Sequence, residues 1–304
     1  MRLLFHILLL ALAALGSTAA ASRACAQALG VPDDFGRTVR LAAPAQRIVS
    51  LSPHLTELLF AAGAGPRLVA VIEHSDYPEA ARSLPRIGAE GTLSLEAILA
   101  ARPDLVVAWP SAASQPTIER LAALGIAVFR SEPRELEDIA RTLEILGRLA
   151  GAQQLAERAA RAFRQRAASL ATHYAGLPRV RIAYLIWNRP LMTLAGGQIV
   201  SKAMQLCGGQ NVFADLRTLA PVIDQEALMR ADPEVILASG LGEELPAWLT
   251  ELRAWTNLTA VRRGNLLAIP EDLLQRHTPR ILDGTERLCR QLESVRGRRP
   301  KTGS

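Results

Sequence analysis

The same order of apolar and polar residues occurs twice along the chain. One copy runs Glu96-Ala-Ile-Leu-Ala-Ala-Arg-Pro-Asp-Leu-Val-Val-Ala108, and the other runs Glu226-Ala-Leu-Met-Arg-Ala-Asp-Pro-Glu-Val-Ile-Leu-Ala238. Each begins with a glutamate and helically spaced apolar residues, then continues through a proline and an acidic residue into an unbroken aliphatic run. The pattern predicts a helix followed by a buried strand, used twice. Chance recurrence of Glu, Ala and Leu in a helical protein is the alternative.

The residues that flank the repeated helix predict where it begins and ends. Ser94 and Asp224 each lie two residues before the glutamate and can accept hydrogen bonds from the free N–H groups of a helix start. Pro103 and Pro233 are expected to end the helices, because the residue before a proline is disfavoured in the helical region. The aliphatic runs that follow are typical of parallel sheets covered by helices. Two similar lobes are therefore predicted, each with one glutamate at an equivalent surface position.

Residues 47–133 are predicted to form the first α/β lobe. Strands and helices alternate there at lengths that imply a parallel sheet. The predicted strands are 47–53, 68–72, 105–109 and 126–129, and the predicted helices are 56–64, 95–101 and 117–124. A weakly alternating stretch at 33–41 is expected to form a small hairpin before this lobe.

Residues 134–176 have a helical period and are predicted to bridge two lobes. The second of their two helices spans Gln153 to Tyr174, a length of roughly 30 Å. A flexible linker would be rich in Gly, Ser or Pro instead, so we expect a rigid bridge without large hinge motion.

Residues 177–295 are predicted to form the second lobe. Its elements are a strand at 181–186, a turn at 187–190, a helix at 199–206, the second copy of the repeat, a strand at 266–269 and a helix at 278–292. The predicted fold class is α/β, with two lobes of mainly parallel sheets joined by a single long rigid helix.

Both ends of the chain are expected to lie outside the fold. Residues 1–26 contain a basic residue, an apolar run and Ala24-Cys25-Ala26, the pattern of a secretory signal peptide with an A-x-A cleavage site. The predicted mature protein begins at Gln27 and lies outside the cytoplasm. Lipid attachment at Cys25 is the weaker alternative, because Ser22 and Arg23 precede it. Residues 296–304 are interpreted as a basic tail.

The formal charge of +6 comes from these two ends. Without their basic residues the folded body is close to neutral, and such a tail is more typical of a solvated segment than of a binding arm. We therefore expect no nucleic-acid partner. No later apolar segment has the length of a membrane span.

Cys207 and Cys289 remain if Cys25 is removed with the signal peptide. An even pair of cysteines in an oxidising compartment is expected to form a disulfide. Two buried thiols that never meet are the alternative, because the sequence does not give their separation.

The candidate chemistry favours binding over catalysis. The sequence contains none of the common nucleophile, phosphate-loop, dinucleotide or zinc motifs, so no catalytic residue, metal or cofactor is predicted. Open α/β sheets bind ligands at the carboxyl ends of their strands. The candidate ligand-binding residues at such ends are His74, Tyr77, Trp109, Trp187 and Asp272.

The aromatic members of this set suit a bulky, partly apolar ligand between two lobes. Each has a structural alternative. Tyr77 could only pack the turn at Pro78, and Trp109 and Trp187 could be rim residues of the fold. His54 and His173 are not candidates, because a lone histidine is more often a surface or satisfied residue than a ligand.

Several motifs resemble those of the cobalamin (vitamin B12) binding proteins of the Fe/B12 periplasmic-binding superfamily. The resemblance extends from about Arg47 to Leu292. It is carried by Ser50-Leu-Ser-Pro, Thr56-Glu-Leu, Ser75-Asp-Tyr-Pro78, Leu95-Glu96, Arg102-Pro-Asp-Leu-Val-Val-Ala-Trp109, Leu206-Cys-Gly-Gly, Gln210-Asn-Val-Phe213 and Pro279-Arg-Ile281.

The resemblance implies a ligand cleft between two lobes and a role in transport. It implies a monomeric periplasmic component of an ABC importer that delivers cobalamin or a related corrinoid to the permease dimer of the inner membrane. Cobalamin would be the transported ligand. Glu96 and Glu226 stand where such proteins dock onto arginines of the permease, and Cys207 and Cys289 match the family's disulfide.

The chain also departs from this family. Cobalamin binders of this type often place aromatic residues against the corrin where this chain has His74, Glu90, Ile186, Met192 and Ala220, whereas Trp109 and Asp272 match. A haem or an iron siderophore is therefore an alternative ligand. An extracellular enzyme or ligand sensor is the alternative from another class, with His74 and Ser75 as its only local nucleophile–base pair.

Overall fold

The computed structural model describes residues 29–111, 115–240 and 244–299, so the predicted signal peptide lies outside the described residues. The strands are β1 (Leu29–Pro32), β2 (Thr38–Leu41), β3 (Ile48–Ser50), β4 (Leu68–Val71), β5 (Leu105–Ala108), β6 (Ala127–Arg130), β7 (Val180–Asn188), β8 (Leu191–Thr193), β9 (Gly209–Asn211), β10 (Val235–Gly240) and β11 (Leu266–Pro270). The α-helices are α1 (Pro53–Ala61), α2 (Leu95–Ala100), α3 (Gln115–Ala123), α4 (Leu136–Leu149), α5 (Gln153–Tyr174), α6 (Ile199–Leu206), α7 (Gln225–Ala231), α8 (Ala247–Glu251), α9 (Thr259–Arg262), α10 (Glu271–Leu274) and α11 (Ile281–Gly297).

The strands of the described residues form a hairpin and two larger sheets. β1 and β2 pair as the antiparallel hairpin expected before the first lobe. The first large sheet has the order β4-β3-β5-β6, and all its pairs are parallel. The second has the order β11-β10-β7-β8, with β9 beside β7, and only β8 runs antiparallel. The predicted fold class of two α/β lobes with mainly parallel sheets is confirmed.

Both copies of the repeat fold as a capped helix followed by a buried strand. The side chain of Ser94 accepts a hydrogen bond from the backbone N–H of Ala97 at the start of α2, and Asp224 does the same for Ala227 at the start of α7. The helices end before the prolines as predicted. However, the residue that precedes each proline is left-handed rather than extended, with φ of 47° at Arg102 and 33° at Asp232.

A helix-end clamp closes the first copy of the repeat. The guanidinium group of Arg47 donates hydrogen bonds to the carbonyls of Ala101 (2.7 Å) and Arg102 (3.1 Å) just beyond α2. The carboxylate of Asp104 accepts in turn from the backbone N–H groups of Gln46 and Arg47. The acidic residue after the proline therefore binds the start of the neighbouring strand β3.

The second copy has an equivalent helix-end clamp. Arg181 lies at the start of β7, much as Arg47 lies just before β3, and it donates to the carbonyl of Ala231 at the end of α7. Glu234 accepts from the backbone N–H of Arg181 at 3.4 Å. The similarity of the two copies thus extends from the sequence pattern to the side-chain contacts that close each unit.

The bridge helix α5 spans the residues predicted for it, Gln153–Tyr174. One apolar core runs from the first sheet through α4 and α5 into the second, and it includes Val107, Leu143, Phe163 and Tyr184. Arg166 of α5 also forms ion pairs with Asp283 (2.6 Å) and Glu286 (2.8 Å) of α11. Since the bridge packs against both lobes, it is a rigid part of the core rather than a linker.

Cys207 and Cys289 form a disulfide, and both are fully buried. The bond joins the residue after α6 to the middle of α11. The alternative of two separate thiols is therefore wrong for this structure.

One predicted boundary was wrong, and two short strands were missed. Trp187 was expected in a turn, but β7 continues through Asn188 and pairs Trp187 with Met192 of β8. Neither β8 nor β9 was predicted, because each has only three residues and therefore carries no measurable period.

The basic segment expected to be a solvated tail from residue 296 is also ordered through residue 299. The helix α11 ends at Gly297, and the Arg296 side chain donates to the carbonyl of Pro178 at 2.8 Å. Arg299 pairs with Glu234 at 2.9 Å. Carbonyl and carboxylate acceptors at the edge of the second lobe bind this segment, whereas the remaining residues of the predicted tail lie outside the described part of the chain.

Candidate functional site

A cavity of about 240 Å³ lies where the carboxyl ends of the two sheets meet. We call it the interlobe cleft. The first lobe lines it with Ser52, Pro53, His54, Glu90 and Trp109, and the second lobe lines it with Glu271, Asp272, Gln275 and Arg276. Larger hollows of about 690 and 630 Å³ lie elsewhere on the second lobe and beside the bridge, but no predicted ligand-binding residue lines them. The cleft is the better candidate, because both lobes and both sets of strand ends contribute to it.

Four of the five predicted ligand residues lie at or beside this cleft. Trp109 and Asp272 line it directly. The ring of Tyr77 lies under the guanidinium group of Arg280, 4.1 Å from the ring centroid, and 46% of Tyr77 is exposed. His74 is left-handed, and its carbonyl accepts a hydrogen bond from Arg276. Their contact with a ligand remains a prediction.

Trp187 does not line this cavity but belongs to an apolar stripe on the second lobe. Trp187 of β7 pairs directly with Met192 of β8, which pairs in turn with Val222. Directly paired residues of antiparallel strands share one face of the sheet. Trp187 is 57% exposed and Val222 is 61% exposed. The stripe of Trp187, Met192 and Val222 is thus an open apolar surface at the carboxyl end of β7.

An ion network joins the two lobes beside the cleft. Glu57 of α1 is only 3% exposed, and its carboxylate pairs with Arg276 at 2.7 Å and with Arg280 at 3.4 Å. Arg280 also pairs with Asp272 at 2.5 Å. We call these four residues the interlobe ion network. A buried carboxylate requires such partners, because an unpaired buried charge is costly.

The interlobe ion network also governs the charge of Arg280. Burial opposes the charged form of its guanidinium group, but the hydrogen bond with Asp272 and the nearby Glu57 outweigh this effect and raise the pKa of Arg280. Arg280 therefore stays positively charged at the junction of the lobes.

A cluster of three rings lies at the cleft, where His54 and Trp109 line the cavity and His277 packs against both. The ring centroids of His54 and Trp109 are 5.0 Å apart, and His277 lies 5.7 Å from His54 and 6.0 Å from Trp109. The Nδ1 atom of His54 is hydrogen-bonded to the Ser52 hydroxyl. His54 Nε2, Trp109 Nε1 and His277 Nδ1 are buried and have no hydrogen-bond partner among the described residues.

Burial keeps both imidazoles of this cluster neutral. It lowers the pKa of His277 to about 4. Burial also lowers the pKa of His54 well below its ordinary value, and the nearby His277 and Arg276 lower it further. His54 and His277 therefore add no positive charge to the cleft at neutral pH.

Glu96 and Glu226 occupy equivalent exposed positions on the two lobes. Each is the second residue of its capped helix, α2 or α7. In a strand–helix–strand unit the helix runs antiparallel to the strands, so its start lies at their carboxyl edge. Both glutamates therefore lie on the edge of their sheet that also forms the cleft.

The sequence pattern did not reveal the role of Glu57, Arg276, Arg280 or the two ring-cluster histidines. In the sequence, Glu57 and Arg280 stand out only as parts of the motifs that resemble the family, and His54 is a lone histidine. The one available signal was position, since Arg276 and Arg280 follow closely after the carboxyl end of β11.

Within the described residues, no group of three or more His, Cys, Asp or Glu side chains is arranged to hold a metal ion. No helix of this part of the chain combines the length and apolar character of a membrane span.

A family model described as "Periplasmic binding protein" matches residues 48–273. A vitamin B12-binding protein of Vibrio cholerae is 39% identical over 82% of this chain and 90% of its own length. The crystal structure of the periplasmic vitamin B12 binding protein BtuF of Vibrio cholerae matches with a TM-score of 0.76 and 37% identity, over 83% of this chain and 98% of that chain. A periplasmic haem-binding protein of Pseudomonas aeruginosa matches with a TM-score of 0.70 and 26% identity, over 81% of this chain and 91% of that chain.

Glu57→Ala is expected to lower the free energy of unfolding by about 2–3 kcal/mol, because it leaves two partly buried guanidinium groups without their shared carboxylate. Urea unfolding at neutral pH measures this change. The matched control is Glu79→Ala, which removes an exposed ion pair with Arg82 and is expected to change stability by less than about 0.5 kcal/mol. Equal effects of the two substitutions would contradict the structural role of Glu57.

His277→Gln is expected to reduce the pH dependence of stability. Because the pKa of His277 is about 4 in the folded protein and 6.5 ordinarily, the unfolded chain binds a proton below about pH 6.5 that the folded protein excludes. The free energy of unfolding should therefore fall as pH is lowered towards the folded pKa. Urea unfolding between about pH 7 and pH 5 should show a shallower decline for the variant. His173→Gln, at an exposed histidine, should keep the wild-type decline.

Proposed function

Because the chain belongs to the periplasmic binding protein family, we propose that it is the substrate-binding component of an ABC importer and that it captures cobalamin or a related corrinoid. Members of this family are substrate-binding proteins rather than enzymes. The observation that carries the choice of ligand is the similarity, over most of the chain, to a relative named as a vitamin B12-binding protein. The interlobe cleft and the apolar stripe of the second lobe suit a ligand of that kind.

The proposed ligand would contact both lobes. On the first lobe, Trp109 and the exposed ring of Tyr77 offer aromatic surface, and His74 lies beside them. On the second lobe, Asp272 can accept hydrogen bonds. The cavity holds only part of a large macrocycle, so much of such a ligand would lie outside it, where side chains on the lobe surfaces can be reached.

The apolar stripe offers a substitute for the missing corrin-facing aromatics of the second lobe. This chain has aliphatic or small residues at Ile186, Met192 and Ala220, where cobalamin binders often place aromatics. The indole of Trp187 lies directly beside Met192 and is held by a hydrogen bond from its N–H to the carbonyl of Arg189. An exposed indole fixed in this way provides a flat apolar surface at little entropic cost.

The protein is further proposed to act in the periplasm as a monomer, with residues 1–26 as its signal peptide. Loaded with ligand, it would dock onto a permease dimer in the inner membrane. Glu96 and Glu226 are the proposed contacts, because both are exposed on helices that begin at the carboxyl edge of their sheets. Arginines of the permease are the expected partners.

Purified protein is expected to bind cyanocobalamin at micromolar concentration or tighter, and Trp187→Ala should weaken binding about tenfold, because buried aromatic contacts dominate such interfaces. Isothermal calorimetry measures both affinities. Phe35→Ala provides the control, since Phe35 is a comparably exposed aromatic on the hairpin. Absence of heat with cyanocobalamin, or a coloured haem protein straight from culture, would overturn the choice of ligand.

Glu96→Ala combined with Glu226→Ala is expected to abolish cobalamin uptake in cells that depend on this protein, while ligand affinity stays unchanged. The two carboxylates lie on the surface and touch no ligand in this proposal. Uptake of labelled cobalamin and calorimetry of the purified variant separate these effects. Glu119→Ala serves as a control at an exposed glutamate of α3. Weaker ligand binding by the double variant, or undiminished uptake, would contradict the docking role.

A further inference from the structure

The interlobe cleft carries an excess of negative charge. Three carboxylates line it, namely Glu90 from the first lobe and Glu271 and Asp272 from the second. The only lysine or arginine in the same lining is Arg276. The described part of the chain as a whole carries more lysines and arginines than aspartates and glutamates, so the negative excess is a property of the site.

The arginines beside the cleft do not reverse this balance, because they already have carboxylate partners. Arg276 pairs with Glu57, and Arg280 pairs with both Asp272 and Glu57. The charge of Asp272 is likewise taken up by Arg280. Within the described residues, Glu90 and Glu271 have no ion-pair partner.

The ring cluster does not supply positive charge either. Its two imidazoles, His54 and His277, are buried and neutral, as described above. An anionic ligand group that entered the cleft would therefore meet two uncompensated carboxylates and no free cation among the described lining residues.

We infer that Glu90 and Glu271 are specificity determinants, which select a macrocycle fringed with uncharged carboxamide groups and discriminate against one fringed with carboxylates. This inference rests on the proposed function and deepens it. It favours a corrinoid, whose side chains end in primary amides, over haem, whose propionates are anionic.

The discrimination follows from hydrogen-bond chemistry and Coulomb repulsion. An ionised carboxylate can only accept hydrogen bonds, and a primary amide offers two N–H donors to it. Hydrogen bonds to a charged acceptor are stronger than neutral ones. A carboxylate ligand group offers no donor, and two like charges about 4 Å apart in bulk water already repel by an amount that weakens affinity about fivefold.

Glu90 is the more informative of the two, because cobalamin binders often have an aromatic residue at this position. Its exchange for a glutamate sacrifices apolar contact with the macrocycle. In return it places a hydrogen-bond acceptor where the edge of a macrocycle with amide side chains would lie. The selectivity is therefore expected to depend on the rim of the ligand rather than on its flat face.

The test compares cyanocobalamin with its monocarboxylic acid derivatives, in each of which one propionamide is hydrolysed to an acid. At low salt, at least one derivative should bind wild-type protein about fivefold or more weakly than cyanocobalamin. Added salt should reduce this difference, because it screens charges near the surface. Haemin should bind more weakly than cyanocobalamin.

The double variant Glu90→Gln with Glu271→Gln should bind the acid derivatives and cyanocobalamin with nearly equal affinity. Both positions are exposed, so thermal unfolding should be unchanged. Glu119→Gln is the matched control and should retain the wild-type preference.

The outcomes separate the two levels of the proposal. If cyanocobalamin does not bind at all, both the proposed function and this inference are wrong. If cyanocobalamin binds but every acid derivative binds equally well, or if the double variant keeps the preference, the corrinoid function stands and the role of Glu90 and Glu271 is wrong. Tighter binding of haemin than of cyanocobalamin by wild-type protein would also overturn the inference.

Discussion

The buried carboxylate of Glu57 constrains how the two lobes meet. A charge with only 3% exposure requires cationic partners, and both partners come from the loop between α10 and α11 of the other lobe. The lobes are held at a second place by the bridge, where α4 and α5 share one apolar core with both sheets. The interlobe cleft lies beside the ionic contact. The relative position of the two lobes at the cleft therefore depends on two contacts. One is the ionic contact of Glu57, and the other is the apolar packing of the bridge.

The cleft combines uncharged rings with charged carboxylates. Its ring cluster contains two imidazoles that burial keeps uncharged, whereas its lining also carries carboxylates from both lobes. The apolar stripe at Trp187 lies outside this polar cavity, on the second lobe. A large ligand that covers both regions would place its flat face on the stripe and its polar edge in the cavity. The apolar stripe would then supply affinity, and the polar cavity would supply selectivity.

The sequence was sufficient for the parts of the fold that depend on local pattern. The helix at 153–174 and the repeated units were predicted correctly, because their apolar spacing, caps and prolines lie within a few residues of one another. The site was predicted only in part. Position at strand ends identified Trp109 and Asp272, but the pairing of Glu57 with Arg276 joins residues 219 positions apart, which no local period encodes. Likewise, nothing in the sequence distinguishes a turn at Trp187 from the end of a longer strand, because the short partner β8 gives no pattern of its own.

The two helix-end clamps have a consequence for the order in which the chain folds. Every strand of the first large sheet lies between residues 48 and 130, and its clamp needs no residue beyond Asp104. A chain that emerges amino terminus first can therefore complete this sheet before the second one exists. Glu57 must then remain hydrated until the loop with Arg276 and Arg280 has been made. Burial of that single carboxylate is therefore expected late in assembly, after the loop of the carboxyl-terminal half has been synthesised.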